Sequence, residues 1–330
     1  MRLFLAGALL VSAAAAQMPR VGDINLYGLR RVPAERVVAA AQVSSGAHLP
    51  ASKGDMEDAI EKVPGVVLAR VEAICCEGAD AILFIGVEEK GAAHASFRSP
   101  PAGSATLPQE LLDTYNSFLA AVAKAAGEGR ATEDLTAGHS MMDDPAARAL
   151  QPRFLDFAAD HLDWLRDVLR SGAEPEERAV AAAVIGYAPD KAKVVDDLQF
   201  ALQDPDDAVR ANALRSLTAI AVYAAKHPEQ GIRISATWII ELLNSIVLND
   251  RVEAAKALVV LTDSSNPPAL ALIRERGLEP LAEMARWKTL RYALPPFLVL
   301  GRTAGIPDNQ LQQAWQKGGR EAIIGKALAQ

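Results

Sequence analysis

The spacing of apolar positions changes several times along the chain, and each spacing predicts a different element. At the start, Arg2 precedes an apolar run from Leu3 to Ala13, which ends in Ala14, Ala15 and Ala16 before Gln17. A positive end, an apolar core of about 7–15 residues and a small-residue cleavage site make a secretory signal peptide. Residues 1–16 are therefore predicted to be one, and the mature chain to be periplasmic or secreted. The run falls short of the roughly 20 apolar residues that a bilayer span takes. Charged residues interrupt every later apolar run, so no transmembrane span is predicted in the mature chain.

From residue 17 to about 90 the pattern alternates between periods. Ile24 and Leu26 share one face of an extended segment that Gly28 ends, which predicts a half-buried strand. Pro33 opens a helical spacing of Val37, Val38 and Ala41; Ser52 opens another, Met56, Ile60 and Val63, stopped by Pro64 and Gly65. Proline in a first turn and serine as a cap are ordinary helix starts. Val67, Ala69, Val71, Ala73 and Cys75 then alternate with polar-leaning Arg70 and Glu72, and Leu83, Ile85 and Val87 alternate after a turn at Glu77–Asp80. The predicted order is β-α-α-β-β. Residues 91–108 carry Gly91, Pro100, Pro101, Gly103 and Pro108 and read as a linker.

Residues 109–160 begin with a helix. Leu111, Leu112, Tyr115, Phe118, Leu119 and Val122 keep helical spacing from Gln109 to Gly127. The spacing then fails as far as Asp144, which predicts a loop. Over residues 161–330 the helical pattern repeats itself in pairs. The second helix of each pair carries an arginine, then an alanine, then a large aliphatic at fixed offsets: Arg178, Ala181, Ile185; Arg210, Ala213, Leu217; Arg251, Ala254, Leu258. The interval from the second copy to the third is the longer one, which predicts a loop insertion. First helices fall at Leu162–Leu169, Val194–Leu202 and Trp238–Ile246, and a divergent fourth pair at Leu278–Met284 and Tyr292–Leu300. Pro295 and Pro296 are predicted to kink or break the last of these. Such units stack because none buries its apolar face alone. The fold class is thus a small α+β domain, βααββ, followed by an all-α helical-repeat solenoid.

Two resemblances follow from these motifs. Ile24-x-Leu26-x-Gly28, Gly46 between the helices, Val63-Pro64-Gly65-Val66 and Val87-Glu88-Glu89, in that order, resemble a POTRA domain over residues 20–90. Asp204-Pro205-Asp206-Asp207-Ala208-Val209-Arg210 with Ala213 and Leu217 resembles a HEAT repeat, and the likeness extends over about 160–305. The HEAT likeness implies that Asp204 caps a helix with Pro205 at its first position, and that Ala213 lies at a close helix contact. The POTRA likeness implies that the second strand is a sheet edge, so that Val66, Leu68, Arg70, Glu72 and Ile74 can accept a partner's extended segment. POTRA domains usually precede a membrane barrel, whereas this chain continues into helices. Some HEAT-like proteins handle bilin chromophores, which makes a lyase-like chain the alternative, with a purely structural oligomer as a third.

Composition narrows the chemistry. The formal net charge is −7, and no dense basic run is present, which argues against nucleic acid as a partner. Cys75 and Cys76 are the only cysteines; they are open to a mutual disulfide, free thiols or pairing with another molecule. No C-x-x-C is present. His48, His94, His139, His161 and His227 are scattered without zinc spacing, and each reads as a surface residue. Asp143-Asp144, Asp196-Asp197 and Asp206-Asp207 sit at predicted helix starts, where capping explains them. Gly138-His139-Ser140 lacks the second glycine of a nucleophile elbow. The sequence therefore predicts a non-enzymatic interaction or scaffold protein of the cell envelope, with other envelope proteins as partners and neither cofactor nor metal.

Overall fold

The computed structural model describes residues 19–77, 80–263 and 266–330. The signal peptide expected at residues 1–16 and the middle of the turn, Gly78 and Ala79, lie outside the described residues.

Five elements build the small domain: β1 (Arg20–Tyr27), α1 (Ala34–Ala41), α2 (Lys53–Glu61), β2 (Val66–Glu77) and β3 (Asp80–Glu89). The sheet order is β1-β3-β2, with β1 parallel and β2 antiparallel to the central β3. Gly28 ends β1 at φ 84°, and a Cβ there would meet the Val87 carbonyl oxygen at 2.0 Å, so only glycine fits. Ser52 caps α2 by accepting from the Asp55 N–H. Glu89, part of the closing motif of β3, accepts from the N–H groups of Arg30, Arg31 and Val32. Burial alone would raise its pKa, but these three bonds outweigh it and hold the carboxyl below its usual range.

The faces of β3 go to different cores. Leu83, Ile85 and Val87 meet Val37, Met56 and Ile60 of the helices, while Ile82 and Phe84 join the core of the helical region. Both faces are therefore covered. Ile24 and Leu26 share a face of β1 and pack on the small domain's core, as their spacing predicts; Asn25 and Tyr27 are the more buried pair, because the opposite face packs on helices far along the chain. A register shift between Val66 and Leu68 leaves Val67 59% exposed, as a bulge reverses which residues face the core.

The remainder is helical. Helix α3 spans Gln109–Gly127, the span its periodicity predicts, and a two-residue hairpin, β4 (Glu133–Asp134) with β5 (Met141–Met142), interrupts the expected loop. Then come α4 (Pro145–Arg148), α5 (Gln151–Asp160), α6 (Leu162–Ser171), α7 (Pro175–Val184), α8 (Val195–Ala201), α9 (Asp207–Lys226), α10 (Thr237–Glu241) and α11 (Leu248–Asp263). The chain closes with α12 (Pro267–Arg276), α13 (Leu278–Ala285), α14 (Leu290–Thr303), α15 (Asp308–Gln316) and α16 (Arg320–Leu328). No helix among the described residues is long and apolar enough to cross a membrane. Two expectations are corrected. Asp206, not Asp204, caps α9, which places Pro205 outside the helix, because Asp204 is turned inward to Arg178. Helix α14 is not broken at Pro295 and Pro296; burial of Ala293, Pro296, Phe297 and Leu300 compensates the two missing donors.

The recurring arginines form a ladder between successive repeats. Arg178 makes a two-pronged bond to Asp204 at 2.9 Å, Arg210 to Asp250, and Arg251 reaches Glu283 at 3.3 Å. Each also donates to carbonyls just before its own helix: Gly172 and Ala173, Asp204 and Pro205, and Ser245. Residues 91–108, the expected linker, form no helix but run back along the ladder as a strap. The N–H of Ala95 donates to Asn244, that of Arg98 to Gln203 and that of Gly103 to Ser171, while Phe97 lies 3.8 Å beneath the Arg210 guanidinium.

Candidate binding cleft

The strap delivers α3 alongside the second helices of the repeats. Leu107 is buried and its N–H donates to Glu177 of α7, fixing where α3 begins. The apolar stripe of α3 then divides. Leu111 and Tyr115 enter the core, whereas Leu119 is 46% exposed. Between α3, the β4–β5 hairpin, α7, α9 and α11 lies a cleft of about 470 Å³. Phe118 and Phe154 meet edge-to-face at 5.5 Å, and Phe154 and Tyr187 at 5.5 Å, giving the cleft an aromatic wall.

Polar bonds hold the hairpin over this wall. Gln151 is fully buried; it accepts from the Met142 N–H and donates to the Ser140 carbonyl and the Tyr187 hydroxyl. Glu133 accepts from Ser140 Oγ and lies 3.3 Å from Arg215. Gly138 has φ 76°, and a Cβ there would meet Lys191 Cε at 2.8 Å. On the opposite wall Asn212 donates to Tyr115 Oη and to the Ala179 carbonyl, and Lys256 pairs with Glu253 at 2.8 Å.

Beneath the hairpin, Lys191 Nζ lies 2.8 Å from the Gly186 carbonyl and 3.1 Å from His139 Nδ1. The ammonium is buried, and burial lowers its pKa to about 8. Burial first, and then the Lys191 charge, lowers His139 from its ordinary 6.5 to about 4. The imidazole is therefore neutral at pH 7, and its Nδ1 accepts a hydrogen bond donated by the Lys191 ammonium. Burial likewise pushes Tyr187 up to about 12. Perturbed groups gathered beside one apolar cleft mark it as the leading site in this molecule.

The residues singled out in the sequence fall elsewhere. Val66, Leu68, Arg70, Glu72 and Ile74 lie on β2, which is an edge strand. Two of its amides are taken within the chain, Ala69 donating to Glu61 and Val71 to Glu57. By the alternation of a strand, the amides of Arg70 and Glu72 face β3. Cys75 is disulfide-bonded; the side chain of Cys76 lies outside the described residues. Ala181, Ala213, Ala254, Ile185, Leu217 and Leu258 are all buried, as structural positions of the repeats. Asp196 and Asp197 do not cap α8; Asp197 bonds Arg166 and Arg170. His139, read as a surface residue, lines the cleft. The glycine before it and the failing helical spacing were the available signals, and neither pointed to a buried lysine.

A small mixed sheet followed by a helical repeat region is the class this architecture defines. A family model described as HEAT repeats matches residues 162–230, which takes in the helix pairs that carry Arg178 and Arg210. No curated protein matches the chain.

Proposed function

We propose that this chain is an exported, non-enzymatic interaction protein of the cell envelope. Its repeats stack as a solenoid, and the cleft beside α3 grips an apolar segment of another envelope protein. The aromatic cleft carries this reading: its floor is built from the second helices of the repeats, and Leu119 stands exposed on its rim. The start of the sequence supports export, and the β2 edge is the weaker candidate because α2 already occupies two of its amides. Membership of the small domain in the POTRA class rests on the motif order described above. A photo-crosslinking residue at Leu119, in the native envelope, is expected to capture one discrete partner, with none captured from exposed Leu290. Capture from Val67 but not from Leu119 would move the binding site to the sheet edge.

One observation favours a second reading. The cleft falls within the roughly 300–1,000 Å³ of small-molecule sites, and the neutral His139 lines it with the buried Lys191 behind the imidazole. A chromophore or other small ligand held against His139 would be seen as bound mass in native mass spectrometry of the purified protein, with an absorption band if it is a pigment.

A further inference from the structure

The aromatic cleft does not end at Tyr115. It opens into a second groove of about 880 Å³ that shares Tyr115, Leu119 and Asn212 with it. The first turns of α7 and α9 form the floor of this groove, and its charged lining is Glu174, Glu176, Glu177 and Asp207, without a lysine or arginine. Glu177 is engaged by the Leu107 N–H. The other three are exposed, and no ion pair among the described residues uses them. Cleft and groove thus make one channel: at one end aromatic, with its cations Arg215 and Lys256 paired to Glu133 and Glu253, and at the other acidic, with carboxylates unpaired among the described residues.

On the reading given above, we infer that the partner is a basic-apolar segment of another protein. Its lysines or arginines lie over the first turns of α7 and α9, and its apolar side chains enter the cleft past Leu119. The positive ends of those helices offset part of the acidic charge, so the attraction is of the exposed, salt-sensitive kind that sets encounter and register. The apolar anchors supply the affinity. A second copy of this chain, at net charge −7, is disfavoured by the same charges, and so is a nucleic acid.

Random dodecapeptides displayed on phage and panned against the full chain test this directly. Selected sequences are expected to carry Lys or Arg next to an aromatic or large aliphatic residue, and Leu119→Arg to abolish their capture. For a synthetic selected peptide, the Kd is expected to rise about ten-fold between about 0.05 M and about 0.5 M salt. A similar rise is expected for the Glu174→Gln, Glu176→Gln, Asp207→Asn protein, its fold checked by circular dichroism. The salt series needs no substitution, so it stands even if that variant folds poorly. Peptides without a basic bias that are still lost with Leu119→Arg would overturn the basic-segment inference and leave the cleft reading intact. Peptides indifferent to both sets of substitutions, or none recovered above the Leu119→Arg background, would overturn both.

Discussion

Arg178 and Arg210 are among the largest side chains wholly withdrawn from solvent in this protein, and an ion so placed is tolerable only when paired and bonded. Removing one partner should therefore cost more than removing both. Arg178→Met is expected to lower stability by about 3–5 kcal/mol, because it strands Asp204, and adding Asp204→Leu to recover a clear part of the loss. Urea unfolding of the two singles and the double measures this, and strictly additive losses would show that the pair is not coupled. His139 makes a pH-dependent contribution of the opposite kind. Between its ordinary 6.5 and about 4 the unfolded chain binds a proton that the folded chain refuses. Stability should accordingly fall as pH drops through that window and level off below it. Lys191→Met removes the second cause of the shift but not the burial. The His139 titration followed by NMR is expected to move up toward, but not reach, 6.5.

Edge protection is a property of elements. Glu57 and Glu61, both on α2, reach the outward amides of β2, so this edge is blunted by side chains as exposed edges generally must be. Glu57→Ala with Glu61→Ala is expected to speed hydrogen exchange at Ala69 and Val71 by about five-fold, for a bond worth about 1 kcal/mol. Exchange at Arg70, whose amide faces β3, should stay as it was. Helix α3, the cap Ser52, the turn glycine Gly28 and the repeated arginines were legible because local spacing or local backbone geometry dictates each of them. The acids that meet the arginines were not. Asp204 lies in the turn between α8 and α9, Asp250 directly precedes Arg251 and Glu283 lies on α13, so no common offset marks them. The cap was misplaced from Asp206 to Asp204 for the same reason, since a long-range bond outranked a local one. Pro295 and Pro296 do not break α14 because its tertiary burial outweighs propensity. In the cleft, the stripe on α3 was read correctly as apolar, but spacing alone does not reveal that Leu119 remains uncovered, nor that the hairpin places His139 over Lys191.

In the whole molecule, the sheet, strap and repeats share one continuous set of contacts. Glu283 accepts from the N–H groups of Gly28 and Leu29 as well as meeting Arg251. Trp287 meets Phe84 edge-to-face at 5.1 Å and donates to the Leu26 carbonyl. Tyr27 lies across Gly86, where a Cβ would meet its ring at 2.4 Å. The small domain thus closes the end of the ladder that Arg251 occupies. Trp287→Ala is expected to cost about 3–5 kcal/mol and to split a single unfolding transition into two by calorimetry; a single transition at the original midpoint would deny that the two parts are coupled. Hydrogen exchange with and without the partner captured at Leu119 decides whether the cleft beside α3 holds that partner. A partner seated in the cleft adds protection in residues 109–127, 130–142 and 207–220 and leaves β2 unchanged. Protection confined to β2, with those three stretches unaltered, would contradict it.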